Sequence, residues 1–245
     1  MLDNPPELLA SEVIAKNEAG ADTIIGHYWK VNRSSIEYRE ISPYVIDALI
    51  STEDERFYEH SGIDFRALVR SATSFGKSGG ASTITQQLAK QLFTLQKRAK
   101  EASGGDGKTE KVGVSGRINE KAQEHIIAAR LEQRFTKKEI ITMYLNQFDF
   151  LYNAVGIESA ANVYFNKTAL ELSKVEAAML VGMCKNPSLY NPYSFKNKNY
   201  ANKIALKKNI SPSSVSIKEI TAARKKDSVR AVERRNQVLF QWLRN

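Results

Sequence analysis

An acidic cluster at residues 53–62 contains the side chains whose types and spacing are best suited to chemistry. It reads EDERFYEHSG, with four carboxylates and one histidine. Ser42 as a helix N-cap and Pro43 at the first helical position precede an apolar periodic run, so the pattern predicts a helix that carries Glu53 to the edge of a core. A carboxylate placed there is only partly solvated and can serve as a general base. A solvated, acidic helix end explains the same pattern.

A second candidate site is the segment 79–90, which reads GGASTITQQLAK and predicts a glycine-led entry into a helix. At 100° per residue the apolar stripe contains Ile84, Leu88, Leu92 and Leu95. The opposite side carries Thr83, Gln86, Gln87 and Lys90. Hydroxyl and amide groups with a cation beside a helix N-terminus are a cradle for a sugar and a phosphate. An ordinary solvated face with Ser82 as the N-cap is the alternative.

A third candidate site lies on a helix predicted over residues 119–135. One face carries Ala122, Ile126 and Ala129, and the opposite face carries Lys121, Glu124, Ala128 and Leu131. Because both faces contain apolar residues, we expect burial on both sides, with Glu124 in a low-dielectric setting and Lys121 as its partner. A structural ion pair is the alternative. The three scattered histidines, among them His125, have no metal-ligand spacing.

The composition limits the classes of partner. The chain has 245 residues, 42% of them apolar, and a net charge of +9, which favours anionic partners such as nucleic acid, acidic lipid or a phosphorylated substrate. The single cysteine, Cys184, excludes an internal disulfide and predicts a small buried hydrophobe. No apolar run approaches the roughly 20 residues that span a bilayer, so we expect any membrane anchor to lie outside this sequence.

The pattern of elements predicts a mainly helical chain with three parts. Residues 1–41 contain a predicted β-hairpin, with strands TIIGHYWKV and SIEYREI around residues 32–34. Residues 42–193 form the helical core, interrupted by a glycine-rich insertion at 99–118 that we expect to be mobile. Residues 194–245 form a surface excursion followed by a basic helix. Capping boxes predict helix starts at Thr136, Ser173 and Ser216.

The motifs EDERFYEHSG, GASTITQQLAK, EKAQE, TKKEIITMYLN and VGIESAANVYFNK occur in this order. The chain thereby resembles the peptidoglycan glycosyltransferases of glycosyltransferase family 51, which occur in class A penicillin-binding proteins and in monofunctional transglycosylases. The resemblance covers roughly residues 9–193 and the ERRNQVL segment near the end. It implies a lysozyme-like helical fold with a smaller membrane-facing lobe. It also implies polymerisation of lipid II into glycan strands at the outer face of the cytoplasmic membrane.

The resemblance further implies roles for individual residues. Glu53 matches the catalytic base, which takes the proton of the acceptor 4-hydroxyl, and Glu124 matches a second essential glutamate. The matching substrate-binding positions are Asp54, Phe57, His60, Ser82, Thr83, Gln86, Gln87, Lys90 and Lys121. The implied partners are lipid II, the growing glycan strand and an anionic membrane surface. No organic cofactor is implied; a divalent cation, magnesium or manganese, is permitted, with Glu124 as a candidate ligand.

The chemistry of the leaving group favours transfer over hydrolysis. A lysozyme must protonate a sugar oxygen, whereas a lipid diphosphate is already a good leaving group whose charge must be held by cations. Three positions depart from the family pattern: Glu120 replaces an arginine, Gln91 an asparagine and Leu151 a glycine. Arg98 and Arg117 flank the insertion, and each is placed to supply the missing cation. The residues alone do not choose between them.

Two segments suggest contacts beyond the site. Residues 67–69, Ala-Leu-Val between Arg66 and Arg70, fall where the family meets the membrane, although a normal amphipathic helix has the same pattern. The C-terminal basic helix is expected to pack on the core with its charges in solvent. Its ERRNQVL segment resembles the junction that leads into a transpeptidase domain.

Three other functions are compatible with parts of the pattern. A lysozyme-like muramidase or lytic transglycosylase would cleave finished peptidoglycan instead of extending lipid II. A nucleic-acid-binding domain is disfavoured because aromatic residues do not interleave with the basic runs and no binding motif appears. An inactive scaffold that binds lipid II is consistent with the departures at Glu120 and Leu151.

Overall fold

The computed structural model describes residues 11–16, 22–28, 34–73, 80–92, 114–192 and 200–244, and these form a mainly helical fold. In chain order the helices are α1 (Pro43–Glu53), α2 (Phe65–Thr73), α3 (84–92), α4 (Val114–Arg134), α5 (Lys137–Gln147), α6 (Ile157–Phe165), α7 (Lys174–Cys184), α8 (Pro187–Tyr190), α9 (Tyr200–Lys208) and α10 (Ile217–Arg244). Short 3-10 turns span Tyr38–Glu40, Phe57–Glu59 and Pro212–Ser214. The predicted helical class is confirmed.

The predicted hairpin around residues 32–34 is wrong. Two antiparallel strands are present, but they are β1 (Ser11–Lys16) and β2 (Asp22–Tyr28), so TIIGHY pairs with the segment before it. Residues 35–41 are not a strand. The side-chain amide of Asn146 on α5 makes two hydrogen bonds with the backbone of Ile36. Its Oδ1 accepts from the N–H at 3.3 Å, and its Nδ2 donates to the carbonyl at 2.9 Å. A side chain therefore satisfies the polar backbone that a partner strand would have paired.

Three helices, α1, α7 and α10, pack against one another in the core. Val45 and Leu49 of α1 are fully buried, as are Leu180 of α7 and Val238 of α10. Cys184 is buried and free, as expected, and burial raises the pKa of its thiol. The C-terminal basic helix is thus a packing helix, and it brings residues from the far end of the chain to the end of α1.

The predicted capping boxes are confirmed. The carboxylates of Glu139, Glu176 and Glu219 accept the backbone N–H of Thr136, Ser173 and Ser216, respectively, at 2.7–3.1 Å. Each therefore satisfies a backbone donor at the start of its helix. At α1, Ser42 occupies the N-cap position, but its hydroxyl donates to the carbonyl of Leu172 at 3.1 Å and makes no cap hydrogen bond.

The boundaries of two predicted loops need correction. Of the expected mobile insertion, residues 99–113 lie outside the described residues, while 114–118 already belong to α4. The excursion at 194–215 is not irregular throughout, because it contains α9 and a 3-10 turn, although most of its described residues are exposed. The predicted start of α4 was therefore too late, because the prediction assigned the glycine-rich, charged residues before it to the insertion.

The prediction that α4 is buried on both faces is wrong. Ala128 and Leu131 are buried, but Ala122 is exposed and Ile126 is 55% exposed. The face that carries Lys121 and Glu124 is the one that turns toward the protein. Three apolar side chains at helical spacing predicted an amphipathic stripe, but tertiary packing covers only the other side.

The exposed apolar residues of α2 are not the ones that the sequence pattern indicated. Ala67 is buried, whereas Phe65 and Val69, one turn apart, are exposed together with Arg66 and Arg70. An apolar pair flanked by cations is suited to a membrane surface, and this contact stays a prediction. Within the described residues, no helix combines the length and the apolar character that crossing a bilayer requires.

Leu151 stands where the resemblance leads us to expect glycine, and its backbone conformation suits glycine. Leu151, Tyr152 and Asn153 all have positive φ, 67°, 53° and 60°. The loop is closed by hydrogen bonds from the N–H of Phe150 to the carbonyl of Ala154 and from the N–H of Ala154 to the carbonyl of Leu151. Glycine adopts this left-handed conformation without the steric cost that a leucine bears.

Candidate active site

Glu53 is the last residue of α1, and its carboxylate is held at both oxygens. Oε1 lies 3.0 Å from Nη2 of Arg234 on α10, and Oε2 accepts a hydrogen bond from Nε2 of Gln87 on α3 at 3.2 Å. The Glu53 side chain is 14% exposed and that of Arg234 is 5% exposed. The expectation of a partly solvated carboxylate at the edge of the core is therefore confirmed.

A hydrogen bond from Tyr144 orients the side chain of Gln87. The hydroxyl of Tyr144 donates to Oε1 of Gln87 at 3.1 Å, which leaves the amide nitrogen directed at Glu53. Burial raises the pKa of the Tyr144 phenol well above its ordinary value, so the hydroxyl remains a donor. Gln87 was predicted to bind substrate, and the structure gives it a contact with the predicted base.

The residues after Glu53 form an internal brace. The carboxylate of Asp54 lies 2.9 and 3.1 Å from Nε2 of His60 and accepts the N–H of Ile84 at the start of α3 at 2.9 Å. Nδ1 of His60 accepts the N–H of Gly62, so Nε2 carries the proton in this arrangement. Asp54 is buried and Phe57 is fully buried. These contacts favour an internal, positioning role for Asp54 and His60, and contact of these side chains with substrate stays a prediction.

Gly62, in the acidic cluster, lies against residues of the second and third candidate sites. Its carbonyl accepts the hydroxyl of Thr83 at 2.7 Å and Nε2 of Gln86 at 3.3 Å. Its φ is +91°, and a Cβ there would lie 3.0 Å from the carbonyl oxygen of Ala128 on α4. Only glycine permits both this backbone conformation and this approach.

The polar side of α3 is therefore not one exposed surface. Thr83 and Gln86 are buried, whereas Lys90 is exposed. The alternative interpretation, an ordinary solvated face, is therefore wrong for Thr83 and Gln86. Their spacing identified a polar side correctly, but the backbone of the acidic cluster covers its first turn.

Ser82, Lys121 and Glu124 lie together at the other end of the site. Nζ of Lys121 is 2.7 Å from Oε2 of Glu124 and donates to Oγ of Ser82 at 3.0 Å. The Lys121 side chain is 44% exposed and that of Glu124 is 14% exposed. The expected pair is thus formed, and it connects α4 to the entry of α3.

The donor groups of this part do not match a metal site. The described residues contain no group of three or more His, Cys, Asp or Glu side chains that could hold an ion. Glu124 has an ammonium group beside it, where a metal ligand would have a second anionic or neutral donor. The candidate role of Glu124 as a metal ligand therefore lacks a supporting donor set here.

The structure does not describe the side chain of either arginine that was predicted to supply the missing cation. Arg98 lies outside the described residues, and Arg117 lies in the first turns of α4 where only the backbone is described. Glu120 is half-buried on α4. Oε1 of Gln91 is buried, and no described group donates to it.

A third ion pair, between Lys137 and Glu132, supports the acidic cluster. Nζ of Lys137 lies 2.8 Å from Oε1 of Glu132, donates to the carbonyl of His60 at 2.6 Å and stands 4.3 Å above the ring centre of Phe57. The hydroxyl of Thr85 donates to the same Glu132 oxygen at 2.6 Å. This network ties the start of α5 and the end of α4 to the acidic cluster and to α3.

Arg234 is the site residue that sequence reasoning missed, although a signal was present. Asp227, Ala231, Arg234 and Val238 recur at helical spacing and are all buried. A charged residue at a buried position of a helix requires a partner. Gly182 on α7 makes room for it, because a Cβ there would lie 3.2 Å from Cγ of Arg234.

Comparisons with known proteins show the family of this chain. The sequence model of the transglycosylase family matches residues 21–210. Penicillin-binding protein 1A of Haemophilus influenzae is 33% identical over 84% of this chain, that of Escherichia coli is 38% identical over 69%, and penicillin-binding protein 1F of Bacillus subtilis is 36% identical over 78%. The aligned regions are only 18–24% of these relatives. Because the family model covers residues 21–210, which is most of the chain, this chain belongs to the transglycosylase family.

Proposed function

We propose that this chain is a peptidoglycan glycosyltransferase that polymerises lipid II into glycan strands with inversion at the anomeric carbon. The observation that carries the proposal is Glu53, whose carboxylate is fixed by Arg234 and Gln87 while 14% of its side chain remains accessible. A general base needs this combination of a defined direction and access to the acceptor. Membership of the transglycosylase family supports the same activity.

In the proposed reaction, the acceptor 4-hydroxyl oxygen attacks the anomeric carbon of the donor. Glu53 accepts the hydroxyl proton, a carbon–oxygen bond forms, and the bond to the lipid diphosphate breaks with its electron pair leaving on the phosphate oxygen. Lys121, which donates to Ser82 at the entry of α3, supplies positive charge for that departing group. The exposed Lys90, further along α3, is a second candidate cation. No step is assigned to a metal ion.

The setting of the reaction is part of the proposal. Because the chain matches only a fraction of its longer relatives, we propose that it acts beside a transpeptidase domain and a membrane anchor in the complete protein. The substrate would reach it at the outer face of the cytoplasmic membrane. The exposed Phe65 and Val69, flanked by Arg66 and Arg70, form the proposed contact with the anionic surface.

The test is polymerisation of labelled lipid II by the wild type and by Glu53→Gln, Glu124→Gln and Glu55→Gln. Loss of the base should lower the rate roughly 10²- to 10⁴-fold. Glu55 is exposed in the same cluster and provides the matched control, which should keep near wild-type activity. Wild-type rates for Glu53→Gln would disprove the assignment of the base. Cleavage of finished peptidoglycan without extension of lipid II would instead identify a muramidase or lytic transglycosylase.

A further inference from the structure

A cavity of about 390 Å³ lies between α8 and α10. Its lining consists of Leu189, Tyr190, Arg230, Glu233, Arg234 and Gln237. Its volume is near the lower end of the range for small-molecule sites, which is about 300–1,000 Å³. A cavity of this size accommodates a few amino-acid residues and not an extended polymer.

The cavity shares a wall with the active site. Arg234 directs Nη2 to Glu53 at 3.0 Å and Nη1 to Oε1 of Gln237 at 3.0 Å, and its guanidinium carbon lies 5.8 Å from the ring centre of Tyr190. A group bound in the cavity is therefore one side chain away from the predicted base. Because the charge of Arg234 is already neutralised by Glu53, the recognition of a ligand depends on the other lining residues.

Those other residues carry one positive and one negative charge. Arg230 and Glu233 are three positions apart on α10, and both line the cavity. Arg230 is 40% exposed, and its Nη1 forms an ion pair with Asp227 at 3.4 Å; among the described residues its Nε and Nη2 have no acceptor. Glu233 is exposed, and among the described residues it has neither an ion pair nor a hydrogen bond. The two side chains are available to opposite charges on one ligand.

We propose that this cavity binds the peptide part of the substrate, as a short peptide that carries both a free carboxylate and a free amine. The guanidinium of Arg230 receives the carboxylate, with which its planar donors match in geometry. Glu233 receives the ammonium group. Leu189 and the ring of Tyr190 cover the aliphatic carbons between them, and the amide of Gln237 faces the peptide backbone. A neutral saccharide would use neither charge, which favours the peptide.

This inference rests on the proposed function, since lipid II is the substrate that brings a peptide to the site. Arg234 contacts Glu53 and also lines the cavity. A peptide bound in the cavity therefore holds the acceptor sugar to which it is attached close to Glu53. Arg230 and Glu233 are accordingly specificity-determining residues. Charge on the peptide is expected to change the affinity for the substrate more than the rate of the chemical step.

The first experiment measures peptide binding directly by calorimetry on the whole chain. The probe is acetyl-Ala-Glu-Lys with a free carboxylate and a free lysine amine, and the matched probes have the amine acetylated or the carboxylate amidated. Wild type should bind the unmodified peptide roughly tenfold more tightly than either matched probe. Glu233→Gln should remove the preference for the free amine, and Arg230→Gln the preference for the free carboxylate. Thermal unfolding of each variant verifies that it is folded.

The second experiment measures lipid II polymerisation by the same variants, which should raise KM several-fold more than they lower kcat. Equal binding of all three probes, or binding that neither substitution changes, overturns the inference even where polymerisation is normal. A chitooligosaccharide that binds wild type but not Glu233→Gln overturns it in favour of a sugar site. Charge-dependent peptide binding without any polymerisation by wild type supports the cavity's assignment while the proposed function fails.

Discussion

Glu53 and Glu124 each pair with a cation, but the two pairs lie in different surroundings. Glu53 meets Arg234, which is 5% exposed and comes from a helix at the opposite end of the chain. Glu124 meets Lys121 one turn away on the same helix, and that lysine is 44% exposed. The first pair depends on packing of α1, α7 and α10, whereas the second requires only helical spacing and a contact with Ser82.

This difference matches two chemical tasks. A base must point at one hydroxyl, so a buried arginine and an oriented glutamine that remove its freedom are an advantage. A cation that accompanies a departing anion must be reachable and able to follow it, which an exposed lysine on a flexible stem achieves. The comparison predicts that the Glu53 pair is sensitive to any change in packing and that the Glu124 pair is sensitive mainly to charge.

The largest expected effect follows from Arg234→Gln. Removing the guanidinium leaves a mostly buried carboxylate without its partner, which costs about 3 kcal/mol of stability and releases the orientation of Glu53. For a chain of this length that is a fall in Tm of roughly 6–12 °C. Lipid II polymerisation should fall more than about 100-fold. Calorimetry and the polymerisation assay measure the two effects.

Arg235→Gln is the matched control for that substitution. Arg235 is the next residue of α10, and its guanidinium contacts the exposed Asn236 at 2.7 and 3.1 Å. We expect a change in stability of less than about 0.5 kcal/mol and unchanged polymerisation. Equal losses in both variants would show that the helix, and not the ion pair, matters for activity.

Gly62→Ala should disturb both regions together, because Gly62 connects the acidic cluster to α3 and α4. A methyl group would require positive φ of an alanine and a 3.0 Å contact with the Ala128 carbonyl, which should destabilise the fold by about 2 kcal/mol. Gly80→Ala is the control, since its Cβ would meet nothing within 4 Å. Denaturant unfolding measures the stability of the two variants. Equal stability would contradict the close approach of Gly62 to the backbone of α4.

Lys121→Gln should separate charge from stability. An ion pair as exposed as this one contributes less than about 1 kcal/mol, so Tm should move by no more than roughly 2–4 °C. Polymerisation should nevertheless fall at least about tenfold, because the departing diphosphate loses a cation. Arg130→Gln, on an exposed position of the same helix, controls for net charge. If Arg130→Gln lowered the rate equally, general charge and not this contact would explain the effect.

The smallest effect is expected for Leu151→Gly, in a loop that belongs to neither region. Glycine relieves the left-handed strain at φ 67° but loses conformational entropy on folding, so the net gain should be about 0.5–1 kcal/mol. Asn153→Gly should give a smaller gain, because asparagine tolerates this conformation. Thermal unfolding measures both. A loss of polymerisation with Leu151→Gly would mean that this departure from the family serves the chemistry and not only the backbone.

Local patterns predicted what short-range interactions determine. The capping boxes at Thr136, Ser173 and Ser216 set helix starts, because each involves residues three positions apart. The pair of Lys121 and Glu124 was predictable for the same reason. Prediction failed where a distant segment intervened. Asn146 hydrogen-bonds to the backbone of Ile36 that a strand would have used, and Gly62 accepts hydrogen bonds from Thr83 and Gln86, whose burial the spacing alone did not reveal.

The sequence by itself determined the candidate base, the polar entry of α3 and the order of motifs that indicates the family, because residue type and local spacing carry this information. The tertiary structure decided what surrounds Glu53. Arg234 lies 181 residues away along the chain, and it reaches the carboxylate only because α10 packs on α1 and Gly182 leaves space for its side chain. A contact between residues so far apart follows from how helices pack, which no local pattern encodes.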